Sequence, residues 1–368
     1  MKSKIISIFS KVEDTRRVLS NDYDLNSILV SAMISVISGA NTWNEIEEYC
    51  IEKAEWLSSF LNFNKGIPSH DTFNRVISSI EPIKLENCFR EWVSLLIEDK
   101  GLQGVINLDG KTIRGAKKHG VKSTFHMVSA WSCHSNIVLG QLRVSEKSNE
   151  ITAIPKLIDL LEIEKCVITI DAMGCQTDIA DKIIKKKADY VLAVKGNQAK
   201  LLEQIEDEFR FTKTTDFSKT IDLEHGRIET RECSVINDFQ HIENREKWKN
   251  LRNIIKIESI REFKNSDKQT ERHTRYYISS AVGNAVFFQE TIRSHWSIEN
   301  KLHWTLDVAF NEDASRKRNK NSAENFSLLS KIGLNILKND ASTKIGIKGK
   351  RLKAGWSNSY IEKLLNIN

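Results

Sequence analysis

Proline is nearly missing from this chain of 368 residues: only Pro68, Pro82 and Pro155 occur, which excludes long proline-rich linkers. Cysteine is sparse as well. The six cysteines, at 50, 88, 133, 166, 175 and 233, form no C-x-x-C pair, so neither a zinc ribbon nor a dense disulfide framework is expected. Long apolar runs are lacking. The longest, Leu25 to Ala40, is broken by Asn26, Ser27, Ser31, Ser35 and Ser38 and is too short and polar to span a bilayer. The run Ile5-Ile6-Ser7-Ile8-Phe9 stops at Lys11, too short for a signal-peptide core. An intracellular protein with no membrane partner is the expectation. Charge of one sign is in slight surplus, 55 Lys and Arg against 49 Asp and Glu, for a net +6. That does not prove a nucleic-acid partner, but it accommodates one where the basic residues cluster. What is present, 40% hydrophobic and 28% charged residues, is a globular composition, and the length allows two or three domains.

The first hundred residues read as helices. Leu25, Ile28, Leu29, Ala32, Met33, Val36 and Ile37 recur at steps of three and four, and Gly39 closes that face. Thr42 and Glu45 are spaced as a capping box opening a helix to about Phe60. Ser69 is placed to cap a helix over 71–80, and a further helix runs over 83–98. After Gly101 the pattern changes to strands over 105–109, 125–131 and 136–144, a helix over 150–162, a strand over 166–170, a helix over 177–187 and a strand over 190–194. A meander followed by βα units predicts a mixed sheet with helices on its faces. From about 211 to 281 three shorter strands, 230–236, 254–260 and 275–281, read as a β-rich insertion. A long helix follows over 285–308, and the remainder is helical and basic. The expected domains are a helical one over 1–100, an α/β one over 101–340 that carries the insertion, and a basic C-terminal tail over 341–368.

Asp109 and Asp171 each end an apolar strand that should enter a buried sheet. If those strands are neighbours, two carboxylates meet at one sheet edge, an arrangement that costs several kcal/mol unless a cation joins them. Mg²⁺ suits such a site because it takes few carboxylates and keeps water or phosphate as its other ligands. A strand-ending aspartate more often simply caps the next turn. The helix from Arg293 to Trp304 adds Glu299, with His295 and His303 at helical spacing from it. A zinc set of His295, Glu299 and His303 is a weaker reading, because its histidines lie eight apart where the zinc-peptidase pattern places them four apart. An amphipathic helix with a tryptophan core face is the plain alternative.

Four runs carry a family resemblance: 106–115, Ile168 to Gln176, Ala188 to Gln198, and Arg293 through Asp307-Val308 to Glu312-Asp313. They resemble transposases of the ISAs1 insertion-sequence family, which includes the H-repeat-associated proteins. The stretch from Leu25 through Gly66-Ile67-Pro68-Ser69-His70-Asp71-Thr72-Phe73 is similar to the helical domain that accompanies that family. The likeness covers about residues 8–340. It implies an IS4-related DDE transposase with a ribonuclease-H-like core, in which Asp109 and Asp171 end the first and fourth strands and Glu299 lies on a later helix. These three would hold Mg²⁺ or Mn²⁺, two ions, and the wide gap from Asp171 to Glu299 matches the β-rich insertion of IS4-like enzymes. The family implies double-stranded DNA as partner, both element ends and target, a homodimer assembled on DNA, and a bacterial cytoplasmic protein associated with the nucleoid. A transposase-derived DNA-binding protein and a metal-dependent nuclease are the competing readings.

One departure stands out. The IS4 signature places a Tyr seven residues before its Glu, an Arg four before and a Lys seven after; here those positions hold Ile292, His295 and Leu306, while Trp296 and Ile298 fit. Arg293, Lys301 and His303 are the candidates to take over the DNA contacts, and Asp307 is the rival third carboxylate. Lys111 and Arg114 after the first aspartate, Lys195 and Asn197 after the fifth strand, and Arg316 and Arg318 in a basic cluster complete the DNA-binding expectations, with a second basic cluster over 344–353. The segment from His225 to Arg231 is read as either a turn or a DNA contact.

Overall fold

The computed structural model describes residues 4–14, 16, 22–97, 102–116, 125–144, 149–224, 226–263 and 269–367. The N-terminal region is helical: α1 (Lys4–Phe9), α2 (Leu25–Ile37), α3 (Trp43–Glu52), α4 (Ala54–Ser58), α5 (His70–Ser79) and α6 (Pro82–Ile97). Local chemistry sets these boundaries. Asp24, Thr42 and Ser69 accept the backbone N–H of Ser27, Glu45 and Thr72 at the starts of α2, α3 and α5, each satisfying a donor that the helix leaves free. Glu45 reaches back to the N–H of Asn41 at 2.6 Å, one residue before the cap, so the box closes one position earlier than the usual form. The helix expected to reach Phe60 stops at Glu52, and α4 carries the rest; Glu98, the expected end of α6, lies outside the described residues.

β1 (Gly104–Ile113), β2 (Phe125–Ser132) and β3 (Ile137–Arg143) form the antiparallel meander. After α7 (Glu150–Leu160), β4 (Cys166–Ile170) pairs in parallel with β1; after α8 (Thr177–Lys185), β5 (Asp189–Val194) pairs in parallel with β4. The helix α9 (Ala199–Phe211) then leads to an antiparallel ribbon of β6 (Asp216–Glu224), β7 (Arg227–Ile236), β8 (Asn253–Phe263) and β9 (Glu271–Ser279). The whole is one nine-stranded sheet in the order β3-β2-β1-β4-β5-β9-β8-β7-β6. Its first five strands have the ribonuclease-H-like order, so the fold is mixed α/β behind a helical N-terminal region.

Three features differ from the pattern in the sequence. The β-rich segment has four strands rather than three, and it is continuous with the core: β9 pairs with β5 from Val191↔Ser279 to Val194↔Tyr276. The additional strand is β6, whose Phe217, Ile221 and Leu223 are exposed on a sheet edge, so its sequence lacks the alternation of a half-buried strand. Residues 227–231 lie in β7, while His225 lies outside the described residues. Finally, β1 does not end at Asp109. Its antiparallel pairing with β2 continues to Ile113↔Phe125, whereas its parallel pairing with β4 stops at Leu108↔Ile170.

After the sheet, α10 (Ala285–Ile298) runs through a π turn (Glu299–His303) into α11 (Trp304–Phe310), the single long helix expected over 285–308 with one wide turn inside it. Then α12 (Ser322–Asn339), α13 (Ile347–Trp356) and α14 (Asn358–Leu365) close the chain. Helix α12 packs against α2, α5, α6 and β3, so the N-terminal helices and the sheet share one continuous apolar core. Arg351, on α13, is buried with its guanidinium over the Phe310 ring at 4.1 Å and donates to the carbonyls of Val36, Ala40 and Ala309 and to Asn41 Oδ1. It thereby satisfies carbonyls at the C-terminal end of α2.

Candidate active site

The register of β1 and β4 builds the site. Leu108 lies opposite Ile170 at the end of their parallel pairing, so Asp109 and Asp171 are the next residues on two adjacent strands. Asp171 is tethered locally: its Oδ1 accepts the backbone N–H groups of Met173 and Gly174 at 3.1 and 3.4 Å, which fixes the turn into α8. Helix α10 crosses this end of the sheet. His295 Nδ1 lies 2.8 Å from Thr169 Oγ1, and Asn107 Nδ2 donates to that same hydroxyl at 2.6 Å. Just beyond, Glu299 and His303 belong to the π turn. His303 Nδ1 lies 3.5 Å from Asp109 Oδ2 and 3.5 Å from Glu299 Oε2, and one donor atom from each of the three residues falls within 4.8 Å of the others. Asp171 is not part of that close group, but Asp109, Asp171 and Glu299 line one open cleft of about 620 Å³, with Lys195, Arg275 and Trp296 on its walls.

The carboxylates perturb one another. Burial, reinforced by the charges of Glu299, Glu150 and Asp171, pushes Asp109 well above the usual carboxylate range. Asp171 is raised as well, first by burial and then by Glu150. Glu299 moves the other way, lowered by the His303 imidazole beside it. Asp109 is thus the member of this pair that holds a proton most readily, and the surplus negative charge is what a divalent cation relieves.

Glu150 is a fourth carboxylate, near enough to raise both Asp109 and Asp171, and no motif in the chain marks it. It opens α7, and its Oε1 lies 2.5 Å from His126 Nε2, while His126 Nδ1 lies 2.8 Å from Thr112 Oγ1. This pair covers Gly110: a Cβ there would sit 2.2 Å from Glu150 Oε1 and 2.4 Å from His126 Nε2, so a larger residue after Asp109 would displace the Glu150–His126 pair. The signal was cross-strand, because Thr112 faces His126 only once the β1–β2 register is known. Asp307 is accounted for differently. Its carboxylate is paired with the Lys111 ammonium, which also meets Glu312 Oε2 at 3.2 Å, and it is not part of the Asp109–Glu299–His303 group.

Residues 100–336 match the family described as Transposase DDE domain, and residues 6–93 match its companion, DDE_Tnp_1-associated. This chain belongs to the DDE transposases. It is 44% identical to the candidate transposase YncI of Escherichia coli O157:H7, over 98% of this chain and 94% of that one. It is 39% identical to the H repeat-associated candidate transposase YhhI of Escherichia coli (strain K12), over 98% and 97% of the two chains. Among solved structures, a piggyBac transposase synaptic complex with hairpin DNA matches at 10% identity and a TM-score of 0.41, over 98% of this chain and 78% of that one. The protein is therefore an enzyme that cleaves DNA and transfers its strands, with a divalent metal as the family's cofactor.

Around the transposase's cleft the basic residues expected at DNA divide by exposure. Lys195 is exposed on the cleft wall, and Arg114, Lys301, Arg316 and Arg318 are also exposed. Arg114 lies 3.5 Å from Asp313, Arg318 donates to the Gly115 carbonyl, and Lys301 donates to Asn136 Oδ1 at 3.0 Å. Arg293 is exposed and paired with Asp222 at 3.1 Å. The others are occupied within the fold. Lys111 is engaged by Asp307 and Glu312, Asn197 donates to the Ala172 carbonyl at 2.6 Å, and burial holds the His295 imidazole down at about 4, hence neutral. His303, expected at DNA, is buried between Asp109 and Glu299. In the basic clusters, Lys317, Lys350 and Arg351 are buried, whereas Arg316, Arg318, Lys320, Lys344 and Lys348 are on the surface. Arg275 of β9, which lies over the Trp296 ring at 5.5 Å, went unnoticed because its place beside the cleft depends on the β5–β9 pairing.

Proposed function

We propose that this transposase acts through Asp109, Asp171 and Glu299, as ligands of two Mg²⁺ or Mn²⁺ ions, at the ends of an insertion sequence of the ISAs1 family. The observation that carries the proposal is the convergence of three carboxylates, from β1, the end of β4 and the π turn, on one cleft. The donor set fits the cation: Asp109, Glu299 and His303 offer donor atoms within 4.8 Å of one another, and Asp171, raised in proton affinity like Asp109, lines the same cleft.

When bound, the ions supply charge stabilisation at the phosphate and acidify the attacking water or 3′-hydroxyl. The chain's own part is placement. Asp109 stands on a strand paired on both sides up to Leu108, and Asp171 is pinned by two backbone N–H groups, so neither carboxylate reorganises as the reaction proceeds. Lys195 and Arg275 give the cleft wall positive charge for the phosphate backbone, and Arg114, Lys301, Arg316 and Arg318 extend it. Hydrolysis frees the 3′ end of the element, and that 3′-hydroxyl then attacks target DNA, with no covalent protein–DNA link. In this proposal residues 101–340 carry the chemistry, 1–100 and 341–368 flank them, and the active form is a homodimer on double-stranded DNA in the bacterial nucleoid.

The test uses purified protein, a labelled fragment bearing its own gene's flanks, and a supercoiled plasmid as target, with divalent metal or with EDTA. Metal-dependent nicks at fixed positions followed by joining to the plasmid are the expected result. Nicks without joining would make the protein a nuclease, and binding without nicks a DNA-binding module.

A further inference from the structure

We infer that His303 is a fourth metal ligand, giving the site a nitrogen donor beside its carboxylates; the inference rests on the reading that Asp109 and Glu299 hold a cation. The imidazole is buried at 4% exposure, yet Nδ1 faces two carboxylates at 3.5 Å each, beyond the 2.7–3.2 Å of an ordinary hydrogen bond. Equal spacing near that length is compatible with a shared cation. Two donors about 2.1 Å from one ion are about 3.0 Å apart at a right angle and about 3.4 Å apart at a tetrahedral one. A buried imidazole whose Nδ1 faces two carboxylates, with one donor atom from each of the three residues within 4.8 Å of the others, is placed as a ligand.

The π turn provides the placement. Ile298, Leu302, Leu306 and Phe310 are buried at strict steps of four, a spacing that drifts around an α-helix by about 40° per step and that one wide turn takes up. The widened turn lets Glu299 and His303 face Asp109 together while the apolar row stays in the core. The carbonyl of His303 also accepts from Lys111 Nζ at 3.3 Å, which anchors the turn to β1. A nitrogen donor is worth more to a first-row transition metal than to Mg²⁺, so the ligand set should hold Mn²⁺ more tightly relative to Mg²⁺ than an all-carboxylate site would.

Mn²⁺ bound to the wild-type protein tests this directly, by electron spin-echo spectroscopy for ¹⁴N coupling and by calorimetric titration. Imidazole ¹⁴N coupling in the wild type is expected, lost in His303→Ala and His303→Gln. A Mn²⁺ affinity about tenfold or more weaker in both variants, with a smaller change for Mg²⁺, is expected alongside. Mn²⁺ bound tightly by the wild type without ¹⁴N coupling would overturn the assignment. Because that spectrum is read on the unaltered chain, the outcome does not depend on either variant folding. If Asp109→Asn binds Mn²⁺ as tightly as the wild type, the underlying carboxylate reading falls, and the assignment of His303 with it.

Discussion

Two carboxylates on one helix, Glu299 and Asp307, are separated in role by a single ammonium. Lys111 neutralises Asp307 and partners Glu312, whereas Glu299 shares His303 with Asp109. Glu299→Gln is therefore expected to abolish metal-dependent nicking, and Asp307→Asn to retain most of it; the reverse order in a cleavage assay would transfer the third position to Asp307. Glu86 gives a prediction about stability. It is buried, its Oε1 accepts the Gln141 N–H at 2.9 Å, its Oε2 has no partner among the described residues, and burial raises its pKa from 4.5 to about 7. Because the folded value lies above the unfolded one, the unfolded chain releases this proton first as pH rises. The contribution is complete below about pH 4.5 and is lost progressively up to about 7, on the order of 3 kcal/mol in all. Glu86→Gln removes that slope. Urea midpoints measured at pH 5 and pH 8 should converge in the variant relative to the wild type, and an unchanged difference would refute the account.

At the scale of elements, what local chemistry determines was legible and what register determines was not. Ser69 and Thr42 announce their helices because a cap is a contact between residues three apart. The strand that ends at Ile170 and the aspartate after it were equally plain, because a buried parallel strand is a short apolar run. Asp109, Asp171 and Glu299 could be named from order and resemblance, and the structure brings them to one cleft. Glu150, His126 and Arg275 could not, since each reaches the site only through pairing between distant strands or the angle of a helix. The buried cations Lys317 and Arg351 misled for a related reason: a charge run in sequence does not reveal which member turns inward. Arg351 makes this testable. It joins α13 to the end of α2, and Arg351→Ala strands several buried carbonyls, so a loss of about 3 kcal/mol is expected in denaturant unfolding. A loss below about 1 kcal/mol would show that the contact is incidental.

At the scale of the whole molecule, one sheet carries both the catalytic order of strands and the antiparallel ribbon, and α10 returns from the ribbon to deliver Glu299 over the strand ends. The ribbon is thus also the structural route by which the third carboxylate reaches the first two. No helix among the described residues is long and apolar enough to cross a membrane, and the net charge of +6 is modest. In the proposed reading DNA affinity comes from local charge, at Lys195, Arg275 and the exposed arginines, rather than from overall attraction, and it should fall steeply with salt. The central claim is that three carboxylates form one metal-dependent centre distinct from the DNA-holding surface. The most direct measurement compares nicking and binding of the same end fragment by the wild type, Asp109→Asn, Asp171→Asn and Glu299→Gln in Mg²⁺ or Mn²⁺. The account predicts nicking lost in all three variants, with binding within a few-fold of the wild type. Nicking that survives in any one of them, or binding that vanishes together with cleavage, would contradict it.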